Sequence, residues 1–179
     1  MQAWFRLVDG LTAPPELLAA LAARDYASDT HTLVMTRALA AGATDPAVVI
    51  ESSVTEDFLA PMREDAPSAA DYAERRDVLL RTPTPRALAM LRDDGRPAAV
   101  GAAVVTADLA LIFLMRTARW ARRRGLARRI LRALSGWARD SGARTAYLQV
   151  EAANAAAVAL YASEGFVTAY SYVYWRPRR

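Results

Sequence analysis

Arginine occupies five of the eight positions from 122 to 129, in the stretch RRRGLARRIL, with Gly125, Leu126 and Ala127 set between them. Cations at this density bind anions, and three arrangements could use them: a nucleic-acid patch, a solvated helix face, or an anion site built at a helix start. The neighbouring sequence decides. The run follows a continuous apolar stretch, LALIFLM, over 109–115. It precedes apolar residues at Leu126, Ala127, Ile130, Leu131, Leu134, Trp137 and Ala138, which repeat at helical spacing. The first turn of a helix has unpaired backbone N–H groups and a partial positive charge. Arginines there are unfavourable unless an anion joins them, so a merely solvated face would carry them at the other end. Gly125 lets a phosphate approach the backbone, and Arg122, Arg124 and Arg128 would add charge around it. The triple glycine of a dinucleotide loop is missing, and a P-loop needs a lysine that the chain lacks.

The elements that must hold such a site follow from the rest of the chain. Its 179 residues are 54% hydrophobic, which suits one globular domain with an appendage. No run of about 18 uncharged apolar residues occurs, and Asp9 and Pro14-Pro15 interrupt any signal-like start, so a cytoplasmic protein with no membrane contact is expected. Cysteine is absent and His31 is the one histidine, which excludes disulfides, a thiolate nucleophile and thiolate or polyhistidine metal sites; no metal is expected. Up to residue 90 there are 8 arginines against 13 acids, and from 91 onward 15 against 6. An anionic partner should therefore bind the second half.

Strands are expected at 2–8, 30–39 and 47–55, with a helix from Pro14-Pro15 to about Arg24 and a turn-rich linker over 40–46. Thr55 precedes a helix over 56–64, and Ser68 or Ala69 begins another through Leu80. Two strands then flank an Asp94-Gly95 turn, and 109–115 reads as a strand buried on both faces. The arginine run opens a helix to about Asp140. A strand over 145–151 follows, then a helix capped by Asn154 and ending near Gly165, then a last strand over 167–175. The strand-helix-strand of residues 2–39 echoes that of 145–176.

Two motifs carry a resemblance. Arg122-x-x-Gly125-x-Ala127 resembles the Q/R-x-x-G-x-G/A loop of the GCN5-related N-acetyltransferase (GNAT) superfamily. NAAAVALYASEGF, 154–166, looks like that family's N-x-x-A-x-x-L-Y-x-x-x-G-F, with Asn154, Ala157, Leu160, Tyr161, Gly165 and Phe166 in register. The resemblance covers residues 47–179. It implies an α+β fold, a mixed central sheet flanked by helices, with residues 1–40 as a strand-helix-strand appendage. The chain then looks like a shortened member of a branch that carries a degenerate acetyltransferase-like lobe before the active one.

The resemblance further implies acetyl-CoA as co-substrate. Its pyrophosphate would sit on the backbone of Arg122, Arg123, Arg124, Gly125, Leu126, Ala127 and Arg128. Met115 to Thr117 would hold the pantetheine arm and the thioester carbonyl, with Asn154 nearby. Tyr161 lies two helical turns from Asn154 and would protonate the departing thiolate. No carboxylate stands in LIFLM, where many relatives have one. Glu151, on the same strand face as Tyr147 and Gln149, is then the favoured base. The expected reaction is direct acetyl transfer to a primary amine, on a small molecule or a protein. The acidic stretch 52–85 favours a cationic acceptor. The alternative is an acyl-CoA-binding regulatory lobe. Nucleic-acid binding is not expected, because the run lacks interleaved aromatics beyond Trp120. A homodimer is left open.

Overall fold

The computed structural model describes residues 3–10, 14–40 and 45–178. In chain order the elements are β1 (Phe5–Val8), α1 (Pro15–Ala23), β2 (Tyr26–Ala38), β3 (Val48–Glu51), α2 (Glu56–Asp65), α3 (Ala69–Arg81), β4 (Arg86–Asp93), β5 (Arg96–Thr106), β6 (Leu109–Thr117), α4 (Leu126–Asp140), β7 (Thr145–Glu151), α5 (Ala155–Ser163) and β8 (Val167–Pro177). The fold is α+β with mixed strand pairing, as expected. Most of the linker read over 40–46 lies outside the described residues. Among those described, no helix is long and apolar enough to cross a membrane. Two compact units divide the chain: Ala38–Tyr147, and Met1–Arg37 with Leu148–Arg179.

In the unit Ala38–Tyr147, β3, β4, β5 and β6 form an antiparallel meander. β6 then pairs in parallel with the start of β7, Leu109–Leu111 against Thr145–Tyr147. The helices begin where capping chemistry dictates. Thr55 Oγ1 accepts from the Phe58 N–H at 3.2 Å, and Ser68 Oγ from the Asp71 N–H at 3.1 Å. Phe58, Leu59 and Met62 of α2 and Leu79 of α3 bury against Leu88, Met90, Val100 and Ala102 of β4 and β5. Alternation sends Gly101, between the last two, to the other face, where α4 packs.

Gly101 is there because nothing larger fits. A Cβ built on it would stand 2.5 Å from Met115 Sδ, 2.8 Å from Ile130 Cγ2 and 3.0 Å from Leu134 Cδ1. Met115 can swing aside, but the β-branched Ile130 on a helix cannot. Gly101→Ala is expected to lower unfolding stability by about 1–3 kcal/mol through overpacking. Urea unfolding measures it, and an unchanged midpoint would contradict this packing.

The other unit is organised around the pair β2 and β8. β1 and β2 both pair antiparallel with β8. The β2–β8 register has a pseudo-twofold through Thr32–Tyr172. His31↔Val173 exchanges with Leu33↔Ser171, Ser28↔Trp175 with Met35↔Thr168, and Ala27↔Arg176 with Thr36↔Val167. The capping bonds exchange too: Asp9 N–H to Ser171 O and Ala152 N–H to His31 O are both 2.9 Å. So do the left-handed residues after the two helices, Asp25 (φ 62) and Gly165 (φ 84). The sequence echo therefore has a geometric counterpart. β2 starts four residues before the strand read from pattern. Ser28 and Asp29 are poor strand formers, but pairing with β8 and the Asp29–Arg176 ion pair override their propensity.

Candidate active site

The apolar strand β6 carries a bulge at the place where the resemblance puts the thioester. Val100 pairs with Arg116 and Ala102 with Phe113, so β6 spends one residue more than β5 between them. Leu114 takes a left-handed φ of 51 there. In consequence Phe113 and Leu114 both pack toward the α2–α3 cluster, and Met115 Sδ goes to the Gly101 side. The Met115 carbonyl accepts from Arg116 Nη1 at 2.7 Å, and the Thr117 carbonyl from Arg122 Nε at 3.4 Å. The expectation of a strand buried on both faces is corrected. Only Ala110 and Ile112 are buried, and Leu109 is 46% exposed. The Leu111 and Phe113 face borders an open groove at the end of α3.

Beyond β6 the chain makes a 3-10 turn at Arg119–Ala121, pinned by the Ala118 N–H on Ala98 O at 2.8 Å. Arg123 (φ 64) and Gly125 (φ 74) then turn it into α4. Left-handed residues spaced this way shape anion-binding backbone concavities. The arginine run does not open the helix, as read from pattern: α4 starts at Leu126, because the left-handed Gly125 is its N-cap. No side chain caps that end, and nothing lies within 4 Å of a Cβ built on Gly125. The start of a 15-residue helix is thus open to an anion.

The charge around it is smaller than the arginine count suggests. Arg122 pairs with Asp65, which also has Arg116 Nε at 3.4 Å, and Arg124 pairs with Asp93. Arg129 holds Asp45 with Nε–Oδ2 at 2.5 Å and Nη2–Oδ1 at 3.0 Å. That bond is the first cause of Asp45 staying below the usual carboxylate range. Arg123 and Arg128 are exposed beside the helix start. Several carboxylates of the acidic stretch from which a cationic acceptor was expected also have partners within the protein. Glu56 pairs with Arg63 at 2.7 Å, Asp57 with Arg92, Glu64 accepts the Arg119 N–H at 3.0 Å, and Asp71 accepts from Ser68 Oγ at 2.6 Å.

The residues of the second motif fall in the other unit. Asn154 Oδ1 accepts from the Ala157 N–H at 3.2 Å and caps α5, its immediate structural task. Tyr161 is buried, with its ring centroid 6.1 Å from that of Phe166. The Phe166 N–H donates to Tyr161 O at 3.0 Å, and Arg37 Nη1 to Glu164 O at 2.7 Å. This lattice fixes the end of α5 and so the tyrosine. Glu151 and Gln149 are exposed on β7. The pattern did not single out Tyr172. Buried at the centre of the pseudo-twofold, it donates its hydroxyl to Gln149 Oε1 at 2.6 Å. Burial is the main cause that pushes its phenol above the ordinary tyrosine range, against the Thr32 hydroxyl, which pulls it down. Its signal was the tyrosine alternation at 170, 172 and 174.

Comparisons with known proteins agree with this layout. The profile of the acetyltransferase (GNAT) family matches residues 52–166. A GCN5-related N-acetyltransferase from Kribbella flavida superposes with a TM-score of 0.67 at 18% identity, over 99% of this chain and 69% of its own. One from Sphaerobacter thermophilus gives 0.69 at 19%, over 99% and 62%. The ribosomal-protein-S18-alanine N-acetyltransferase of Escherichia coli gives 0.55 at 24%, over 73% and 92%. The chain thus spans roughly two thirds of the first two. No curated protein is similar enough in sequence to count as a match.

Proposed function

The chain belongs to the acetyltransferase (GNAT) family, which implies acyl transfer from coenzyme A to an acceptor, and we propose that it moves an acetyl group from acetyl-CoA to a primary amine by direct transfer. The observation that carries this reading is the conjunction within one unit of the Leu114 bulge and the open, uncapped start of α4. Backbone N–H groups from Arg122 to Arg128 take the pyrophosphate, and Arg123 adds charge. Met115 to Thr117 take the pantetheine arm and polarise the thioester carbonyl. Residues 47–179 act as the catalytic domain and 1–40 as a half-lobe repeat, a division that the pseudo-twofold exchange supports.

The amine nitrogen attacks the thioester carbon, the carbon–sulfur bond breaks, and the amide keeps the acetyl group. The sulfur leaves as thiolate and takes the proton of the Tyr161 phenol, a donor at neutral pH. The nitrogen loses its proton to Glu151 or to water. Tyr161 holds this role through the motif register and the rigid lattice at the end of α5. Glu151 is exposed, so water has access to it and can share its task. Glu151→Gln is therefore expected to lower kcat by less than about tenfold at neutral pH, well short of removing a general acid. Steady-state release of CoA measures this. A fall comparable to that of a Tyr161 variant would make Glu151 the obligate base.

A further inference from the structure

The unit built around β2 and β8 carries a hydrogen bond that the proposed reaction does not use. Tyr172 on β8 pairs with Thr32 on β2, and residues paired directly across two strands share a face of the sheet. β2 lies between β8 and β7, so Thr32 stands between Tyr172 and Gln149. Threonine is short enough for the phenol to pass over β2, and the Tyr172 hydroxyl reaches Gln149 Oε1 at 2.6 Å. Tyr172 and Thr32 are both buried. Arg6 of β1 covers the tyrosine ring, its guanidinium carbon 5.0 Å from the centroid, and Tyr174 meets the ring edge-on at 5.3 Å. Packing on these sides fixes the phenol.

The fixed phenol decides which end of the Gln149 amide faces out. Burial keeps the Tyr172 hydroxyl protonated, so it donates and Oε1 accepts. The other end of the amide is Nε2, with two hydrogens to donate. It has no partner among the described residues, and Gln149 is exposed. Tyr147, Gln149 and Glu151 alternate with the buried Leu148 and Val150, so the three share one face of β7. Glu151, the group proposed to take the amine proton, is thus the next residue on that face. Cα atoms two residues apart on a strand stand roughly 7 Å apart. An amine nitrogen and a carbonyl oxygen on the adjacent carbon span that gap once each adds a hydrogen bond of about 3 Å to one of the two side chains.

We infer that Tyr172 is a positioning residue, which locks Gln149 as a hydrogen-bond donor to a carbonyl oxygen beside the acceptor's amine. The acceptor is then an α-amino amide or the N-terminus of a peptide. A simple alkyl amine offers no oxygen, and it would leave the Nε2 donor without a partner once water is displaced. A free amino acid offers a carboxylate, which Glu151 repels. Without its lock the amide could turn Oε1 outward, and the preference would be lost. The place of the amine rests on the acetyl-transfer reading, whereas the lock does not.

The chain has three carboxamide side chains, Gln2, Gln149 and Asn154, so the Gln149 NH2 signals in a 15N NMR spectrum are assigned by their loss in Gln149→Met. In the full chain without ligand, their relaxation should give an order parameter near the rigid-backbone value of about 0.85, falling below about 0.6 in Tyr172→Phe. Far-UV circular dichroism should be the same for wild type and both variants. With CoA present, L-alaninamide should shift the Gln149 signals and bind about five- to tenfold more tightly than 2-aminobutane or L-alanine, the factor of one hydrogen bond. Tyr172→Phe and Gln149→Met should each bring that factor to about one. A mobile Gln149 amide in the wild type overturns the lock. Equal affinity for alaninamide and 2-aminobutane, or binding of neither, overturns the assignment of the acceptor. So does an equal shift of the Gln149 signals by all three amines, which would place water at the donor. CoA binding measured alone reports on the underlying reading: its absence would remove the donor site, while the relaxation of Gln149 still decides the lock.

Discussion

Gly125→Glu is expected to abolish the thermal protection that acetyl-CoA gives the wild-type protein. A ligand at a hundredfold excess over its Kd stabilises the folded state by about 2.7 kcal/mol. In a chain of this size that raises Tm by roughly 5–10 °C. The substitution puts a carboxylate at the open start of α4, where it occupies the N–H groups and repels a pyrophosphate. Nothing lies within 4 Å of the added Cβ, so the protein has room for it. The left-handed φ of 74 adds strain of roughly 1–2 kcal/mol. That cost lowers Tm with and without ligand, so the increment on adding acetyl-CoA is the quantity to compare. Gly125→Asn, neutral and tolerant of left-handed backbone, should keep most of the increment. Equal increments in wild type and Gly125→Glu would mean that the pyrophosphate binds elsewhere.

Tyr161→Phe is expected to lower kcat by on the order of 10² or more with little change in acetyl-CoA affinity, the signature of a lost general acid. The ring and its contact with Phe166 remain, and the backbone bond from Phe166 to Tyr161 does not involve the hydroxyl. Folding should survive, which far-UV circular dichroism checks. If kcat stays within about twofold, the thiolate leaves unaided or another donor serves it. An unchanged kcat with a raised KM for the amine would instead place the hydroxyl in acceptor binding.

Much of this was legible in the chain itself. Local chemistry fixed the caps at Thr55, Ser68 and Asn154 and the turn at Asp94-Gly95, because those signals act within a few residues. The pseudo-twofold was legible as an echo between residues 2–39 and 145–176. Three features were not. The bulge at Leu114 has no glycine or proline to mark it. The pairing of Arg122, Arg124 and Arg129 with Asp65, Asp93 and Asp45 joins residues far apart in sequence. An arginine run read alone therefore overstates the charge that an anion meets. The Tyr172–Gln149 bond likewise depends on the strand register.

The most direct test of acetyl transfer is the release of free CoA thiol from acetyl-CoA, followed with and without a panel of primary amines. The account predicts release that depends on the amine, with the N-acetylated product formed in equal amount. Tight binding of acetyl-CoA with no release above the solvent background for any amine would contradict it, and would make the chain a binding lobe without turnover.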